Sequence, residues 1–199
     1  MRTFISVLFL ICFVSLNHGL KDNSKTYKLL VATYTNSNQK DGLFVYEFNA
    51  LTGDLSLKSK VAGEDNPSFI TVTSDGKTVY MANEVKNATI SAYRLNPESC
   101  ELTFLNRLST GGGGACHILL DEKSKLAFVS NYGTGSLALI SLKDDGSLNN
   151  TVQFIQNQGK SIDARRQEGP HVHGAFYSPD GKYILSPDLG TDKVNIYKY

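Results

Sequence analysis

The sequence lacks most of what marks a nucleic-acid, membrane or disulfide-scaffold protein. Its 20 Lys and Arg residues nearly balance 19 Asp and Glu residues, for a formal net charge of +1. No basic field therefore points to a polynucleotide, and no acidic tail points to a basic partner. The apolar stretch Phe4–Leu16 falls short of the roughly 20 apolar residues a membrane span needs, so no stable membrane anchor is expected. Cysteine is scarce at three residues. Cys12 lies in that apolar stretch, and a bridge between Cys100 and Cys116 would need Cα atoms within about 7 Å, which spacing alone does not fix. No segment carries a helical period. The run Gly111-Gly112-Gly113-Gly114 is followed by neither Lys-Ser/Thr nor a helix, which removes a nucleotide phosphate loop and leaves a flexible connection as the reading. No Gly-x-Ser-x-Gly elbow is present either, which weakens a serine-hydrolase reading.

What is there begins with Met1-Arg2, the apolar stretch, and the exit through Asn17-His18-Gly19 into a polar segment. That order predicts a signal peptide over residues 1–19 and an exported protein, periplasmic or secreted. Residues 20–199 then form one folded unit. Within it three segments align without gaps: Ile70–Asn83, Ile118–Asn131 and Ala175–Asp188. Each runs from a short apolar strand through a turn and a Lys (Lys77, Lys125, Lys182) into a second apolar strand that ends on Asn or Asp. Asn83 and Asn131 are 48 residues apart, and Asn131 and Asp188 are 57 apart, within reach of propeller-blade periods and too long for most helical repeats.

Strand chemistry agrees. Val79–Ala82, Leu126–Val129 and Tyr183–Leu185 are rich in branched and aromatic residues between turn formers, and Asp75-Gly76 and Asp180-Gly181 suit tight hairpins. Third strands are expected at Thr89–Leu95, Gly135–Leu142 and Lys193–Tyr199, and fourth strands at Leu102–Leu108 and Val152–Ile155. The first segments, Tyr27–Thr33, Gly42–Phe48 and Leu55–Val61, match the second to fourth strands of a blade. The fold class is all-β: four-stranded blades of a β-propeller, about half of a seven-bladed ring. On that count a second chain or segment must complete the ring, and this chain alone is expected to be inactive or unstable.

The motifs Thr33-Tyr34-Thr35, Asn66-Pro67-Ser68-Phe69, Asn83-Glu84, Gly113-Gly114-Ala115-Cys116-His117, Asn131-Tyr132-Gly133, Arg166-Gln167-Glu168-Gly169-Pro170-His171-Val172-His173 and Asp188-Leu189-Gly190 occur in this order. Together they make residues 27–199 resemble the lactonase family of seven-bladed propellers. The resemblance implies hydrolysis of a sugar-type lactone, 6-phosphogluconolactone in the best-known members, with muconate-cyclising relatives on the same fold. A propeller that binds a carbohydrate or a protein without catalysis is the alternative, because fold does not fix function.

Lactone opening needs a base for water, a donor or cation for the oxyanion, and a site that holds the substrate. His117, His171 and His173 fall at the entries of adjacent blades and suit a polar pocket. His117 or His173 is the candidate base, because histidine titrates near neutral pH. Arg166 is the candidate anion grip and oxyanion cation, with Glu168 orienting a histidine or serving as a second acid–base group. His171, Arg165, Asn131 and Tyr132 are the substrate-binding candidates. Asn83, Asn131 and Asp188 recur at equivalent places, which favours a strand-end structural role for all three. His171 and His173 share a strand face, yet no third or fourth ligand stands out, so no metal is assigned and no cofactor is implied.

Overall fold

A computed structural model describes residues 26–199, so the stretch expected to be a signal peptide lies outside the described residues. Among the described residues fourteen strands form four antiparallel sheets. The first has three strands, β1 (Thr26–Ala32), β2 (Asp41–Asn49) and β3 (Leu55–Ala62). The second and third have four each: β4 (Pro67–Val72), β5 (Thr78–Asn83), β6 (Thr89–Leu95) and β7 (Leu102–Ser109), then β8 (Ala115–Asp121), β9 (Leu126–Asn131), β10 (Ser136–Leu142) and β11 (Leu148–Gln156). The last holds β12 (Phe176–Tyr177), β13 (Tyr183–Asp188) and β14 (Lys193–Lys198). Strands within each sheet pair in sequence order, a meander of blades. Among the described residues no helix is long and apolar enough to cross a membrane.

Period-two alternation explains why the sheets stack face to face. In β5 every residue is buried. Val79 and Met81 point to a core shared with Leu43, Val45 and Tyr93 of the neighbouring strands. Tyr80 and Ala82 point the opposite way, into a core with Ala115, Ile118 and Val129 of the third sheet. The same division recurs in β9, where Ala127 and Val129 face the second sheet and Phe128 joins Leu137, Ala175 and Ile184 against the fourth. Each fully buried aliphatic side chain contributes about 1.5–3 kcal/mol, so these two-sided strands hold adjacent blades together.

Two details fix the chain ends of these strands. The turns after β4 and before β13 place Gly76 and Gly181 at φ +71° and +70°, which glycine adopts without steric cost. Asn83, Asn131 and Asp188 are buried and hydrogen-bonded at the ends of β5, β9 and β13, with Asn83 Oδ1 alone of the Asn83 amide atoms left without a partner among the described residues. Asn83 Nδ2 donates to Glu64 Oε2 at 2.6 Å, Asn131 Oδ1 accepts from Thr110 Oγ1 at 2.8 Å, and Asp188 Oδ1 accepts the backbone N–H of His171 at 2.7 Å. The recurring polar residue is a strut. The glycine run differs from the flexible connection expected of it. Added Cβ atoms would meet Asn131 Nδ2 at 2.5 Å from Gly112, the Lys86 carbonyl at 2.5 Å from Gly113 and Gly133 N at 2.8 Å from Gly114. The run is glycine because its backbone is packed tightly between two blades.

Candidate active site

The site grows from one irregularity repeated in successive blades. Pairing slips by a residue between Pro67 and Phe69 in β4 and between Ala115 and His117 in β8, placing bulges at Ser68 and Cys116. The isolated bridge Val172–Asp188 occupies the matching position before β12, with His173 next in line. A bulge bends the strand and re-aims its side chain. Ser68 Oγ donates across the blade boundary to the Ala115 carbonyl at 3.0 Å, and Cys116 Sγ does the same to the Val172 carbonyl at 3.6 Å. His173 is the third member of this series and is exposed.

A second repeated position follows the buried struts. The backbone N–H groups of Glu84, Tyr132 and Leu189 donate to the carbonyls of Asn66, Gly114 and His171 at 2.9, 2.8 and 3.0 Å. One backbone bond per blade thus fixes three chemically different side chains in equivalent places. The Tyr132 ring stacks on His171 with centroids 4.5 Å apart and meets His173 edge-on at 5.5 Å. Both histidines therefore contact the same tyrosine ring.

The three histidines have different hydrogen-bonding states. His117 lies between the rings of Phe69 and Phe176, at centroid distances of 4.5 and 4.9 Å. Its Nδ1 accepts the Ala175 N–H at 3.4 Å, so the neutral ring carries its proton on Nε2. Burial, and then the nearby His173, push its pKa below the ordinary value and favour that neutral form. His171, only 8% exposed, is held by its backbone and by its ring. Nδ1 lies 2.9 Å from the Tyr132 carbonyl, which can only accept, so Nδ1 is the donor. Its Nε2 is 3.3 Å from Glu168 Oε1. Among the described residues the His173 ring has no hydrogen-bond partner.

These contacts redistribute the candidate residues. Of the two roles open to Asn131, it takes the strand-end structural one that its recurrence favours and not substrate binding: it is fully buried, with its amide engaged by Thr110 and Ser136. His171 is likewise a positioning residue, tied to Tyr132, Glu168 and Asp188 rather than open to a ligand. Tyr132 and Glu168 contact the His171 ring, Tyr132 reaches on to His173, and His117 lies within electrostatic reach of His173. Arg165 and Arg166 lie apart, exposed on the loop before Gln167. Arg166 lines a shallow cleft with Ile162, Asp163, Leu189 and Asp192, and among the described residues no hydrogen bond or ion pair joins it to a histidine. Arg165 Nε lies 3.7 Å from Asp163, while Asp192 is engaged by Gln167 at 2.6 Å. Among the described residues Arg166 is the cation of the pair left without a carboxylate. Cys100 and Cys116 are both free thiols. Burial, followed by the charge of Glu84, pushes the Cys116 thiol up to about 12, which disfavours its thiolate at neutral pH. Among the described residues no three metal-ligating side chains converge.

Sequence reasoning singled out neither Tyr34 nor Glu84 as a site residue. The Tyr34 hydroxyl donates to Glu84 Oε2 at 2.6 Å across 50 residues of chain. The carboxylate, first by this bond and then with burial, raises the Tyr34 pKa to about 12. Their equivalent places in the strand repeat were the available signal.

The sequence profile of the lactonase, 7-bladed beta-propeller family matches residues 28–199. The chain belongs to that family. The lactonase relatives include 6-phosphogluconolactonase of Bacillus subtilis, 30% identical over 169 residues that cover 84% of this chain and 48% of the relative. A 6-phosphogluconolactonase of Formosa agariphila is 28% identical over 173 residues, 85% of this chain and 49% of that protein. Among solved structures, the periplasmic gluconolactonase PpgL of Pseudomonas aeruginosa superposes with a TM-score of 0.79 at 32% identity, covering 88% of this chain and 50% of that one. The chain thus spans about half the length of the lactonase relatives it matches.

Proposed function

We propose that the full-length protein opens a sugar-type lactone by water, with His173 as the base and His117 as an oxyanion donor. The carrying observation is the difference in hydrogen bonding between these two rings. His117 accepts a backbone N–H at Nδ1 and so offers an Nε2–H, whereas the His173 ring is exposed and unengaged among the described residues. His173 takes a proton from water, the hydroxide adds to the lactone carbonyl, and the Nε2–H of His117 supports the oxyanion. Collapse breaks the bond from the acyl carbon to the ring oxygen, which takes up a proton as the hydroxy acid forms. Tyr132 and His171, with Glu168 behind the latter, hold the base in place. Arg166 is the anion grip for substrates that carry a phosphate or carboxylate, supported by its lack of a carboxylate partner. The names of the lactonase relatives support the reaction class. The amino-terminal stretch, together with a relative named as periplasmic, supports export.

Lactone hydrolysis followed by pH-stat on the full-length protein, with 6-phosphogluconolactone and glucono-δ-lactone, tests the reading. His173→Asn is expected to lower kcat by about 10²–10⁴-fold, the usual contribution of a positioned acid–base group. Arg166→Ala is expected to raise KM for the phosphorylated substrate alone. A folded protein that turns over neither lactone would favour a non-catalytic binding propeller.

A further inference from the structure

Beside the histidines, a cleft of roughly 660 Å³ opens between the second and third blades, lined by Glu84, Lys86, Asn87, the glycine run, Tyr132 and Thr134. The size suits a small-molecule site. Its floor is bare backbone, because Gly112, Gly113 and Gly114 are packed too closely to carry a Cβ. Gly113 N and Gly114 N are already bonded to Thr134 Oγ1 and the Val85 carbonyl at 3.1 and 2.8 Å, so the floor is not an anion nest. The polar groups left for a ligand are therefore side chains on the walls. One oxygen of Glu84 holds the Tyr34 hydroxyl, and among the described residues the other has no partner. Lys86 and Asn87 are exposed, and Lys86 makes no ion pair among the described residues. Glu84 and Lys86 cancel in charge, and Tyr132 is shared with the histidine cluster.

We infer that this cleft is the subsite for the hydroxylated ring of a neutral sugar-type ligand, with Glu84 accepting hydrogen bonds from a vicinal diol beside the Tyr132 ring. A carboxylate is an acceptor-only group with room for two hydroxyl donors. Tyr34 pins one side of Glu84, which fixes its orientation before a ligand arrives. The balanced charge favours an unphosphorylated ring, while the Arg166 cleft on the other side of the cluster would serve an anionic substituent. The inference rests on the lactonase reading for its ligand class and stands apart from it in its test.

The probe is 1,5-anhydro-D-glucitol, a neutral ring with vicinal diols and no carbonyl, followed by calorimetry and saturation-transfer NMR on the full-length protein. Glu84→Gln is expected to weaken binding about tenfold, the scale of one hydrogen bond to a charged group. Tyr34→Phe should weaken it less, and any gain of glucose 6-phosphate over the neutral probe should be lost in Arg166→Ala and kept in Glu84→Gln. In turnover, Glu84→Gln should lower the ratio of kcat/KM for glucono-δ-lactone to that for δ-valerolactone, which lacks hydroxyls, by about tenfold. Circular dichroism checks that both variants fold. Equal probe binding by the parent and Glu84→Gln would overturn the subsite, whatever the turnover. Glu84-dependent binding without turnover of either lactone would uphold the subsite and remove the lactonase reading.

Discussion

Removing Arg107 should destabilise the protein far more than its position on an outer strand suggests. Glu64 is 2% exposed, and its carboxylate is shared by four donors. Arg107 Nη2 lies 2.7 Å from Oε1, which also accepts from the Tyr93 hydroxyl. Oε2 accepts from Asn83 at 2.6 Å and from Ser91 at 2.9 Å. Arg107→Met leaves that carboxylate in place with only neutral donors. Breaking a buried pair from one side costs about 3–5 kcal/mol; the arginine side chain is 33% exposed, which points to the lower end, about 3 kcal/mol. In urea denaturation of the full-length protein the loss should appear as a lower midpoint with an unchanged slope. Glu64→Gln added to Arg107→Met should recover much of the loss, because the buried charge is then gone, and a double-mutant cycle by urea denaturation measures the coupling. A loss under about 1 kcal/mol for Arg107→Met, or no recovery in the double variant, would refute the reasoning.

Two further outcomes follow from the same structure. The folded-state pKa of His117 is depressed by burial and by His173, so the native state favours its neutral ring. That contribution is full above the ordinary value near 6.5 and is lost as pH falls through the lower folded value. Thermal denaturation across pH 7.5 to 5 should accordingly show a shallower acid-side decline in His117→Phe than in the parent, and parallel curves would contradict the neutral buried ring assigned here. Gly113→Ala places a Cβ 2.5 Å from the Lys86 carbonyl, a backbone atom, and should cost about 1–3 kcal/mol by overpacking; an unchanged urea midpoint would show that the two blades can part there.

Much of the fold was legible because its strands are buried on both faces. Val79–Ala82 and Leu126–Val129 must be continuously apolar to fill two cores at once, and such runs between turn formers are visible in a sequence. The outer strand β11 was read short, from Val152, although it starts at Leu148. Asn149, Asn150 and Thr151 face solvent at the blade edge, where pairing needs no apolar side chain. The histidine cluster was found because the strand repeat aligns the blade entries. The recurrence of Asn83, Asn131 and Asp188 likewise pointed to struts, but that the adjacent Tyr132 lines a cleft shared with Glu84 was not legible, since the two come from different blades. Nor does sequence show how the Arg165-Arg166 loop sits, because its course is set by contacts such as Gln167 to Leu189 and Asp192, over 20 residues away in the chain.

The bulges at Ser68 and Cys116, with His173 at the matching place, separate the part of the chain that must stay constant from the part free to differ. A strand such as β5 has no outside, so nearly any change along it disturbs a neighbour on one side or the other. The bulge residue has only to reach the next blade's backbone, a task that a hydroxyl and a thiol both perform here. One residue per blade can therefore be exchanged with little disturbance to the packing around it. Relatives with the same core can differ in chemistry by what they place at these few positions, and exchanging Ser68, Cys116 and His173 among themselves is the smallest set of changes by which the blades of this protein could be made to trade roles.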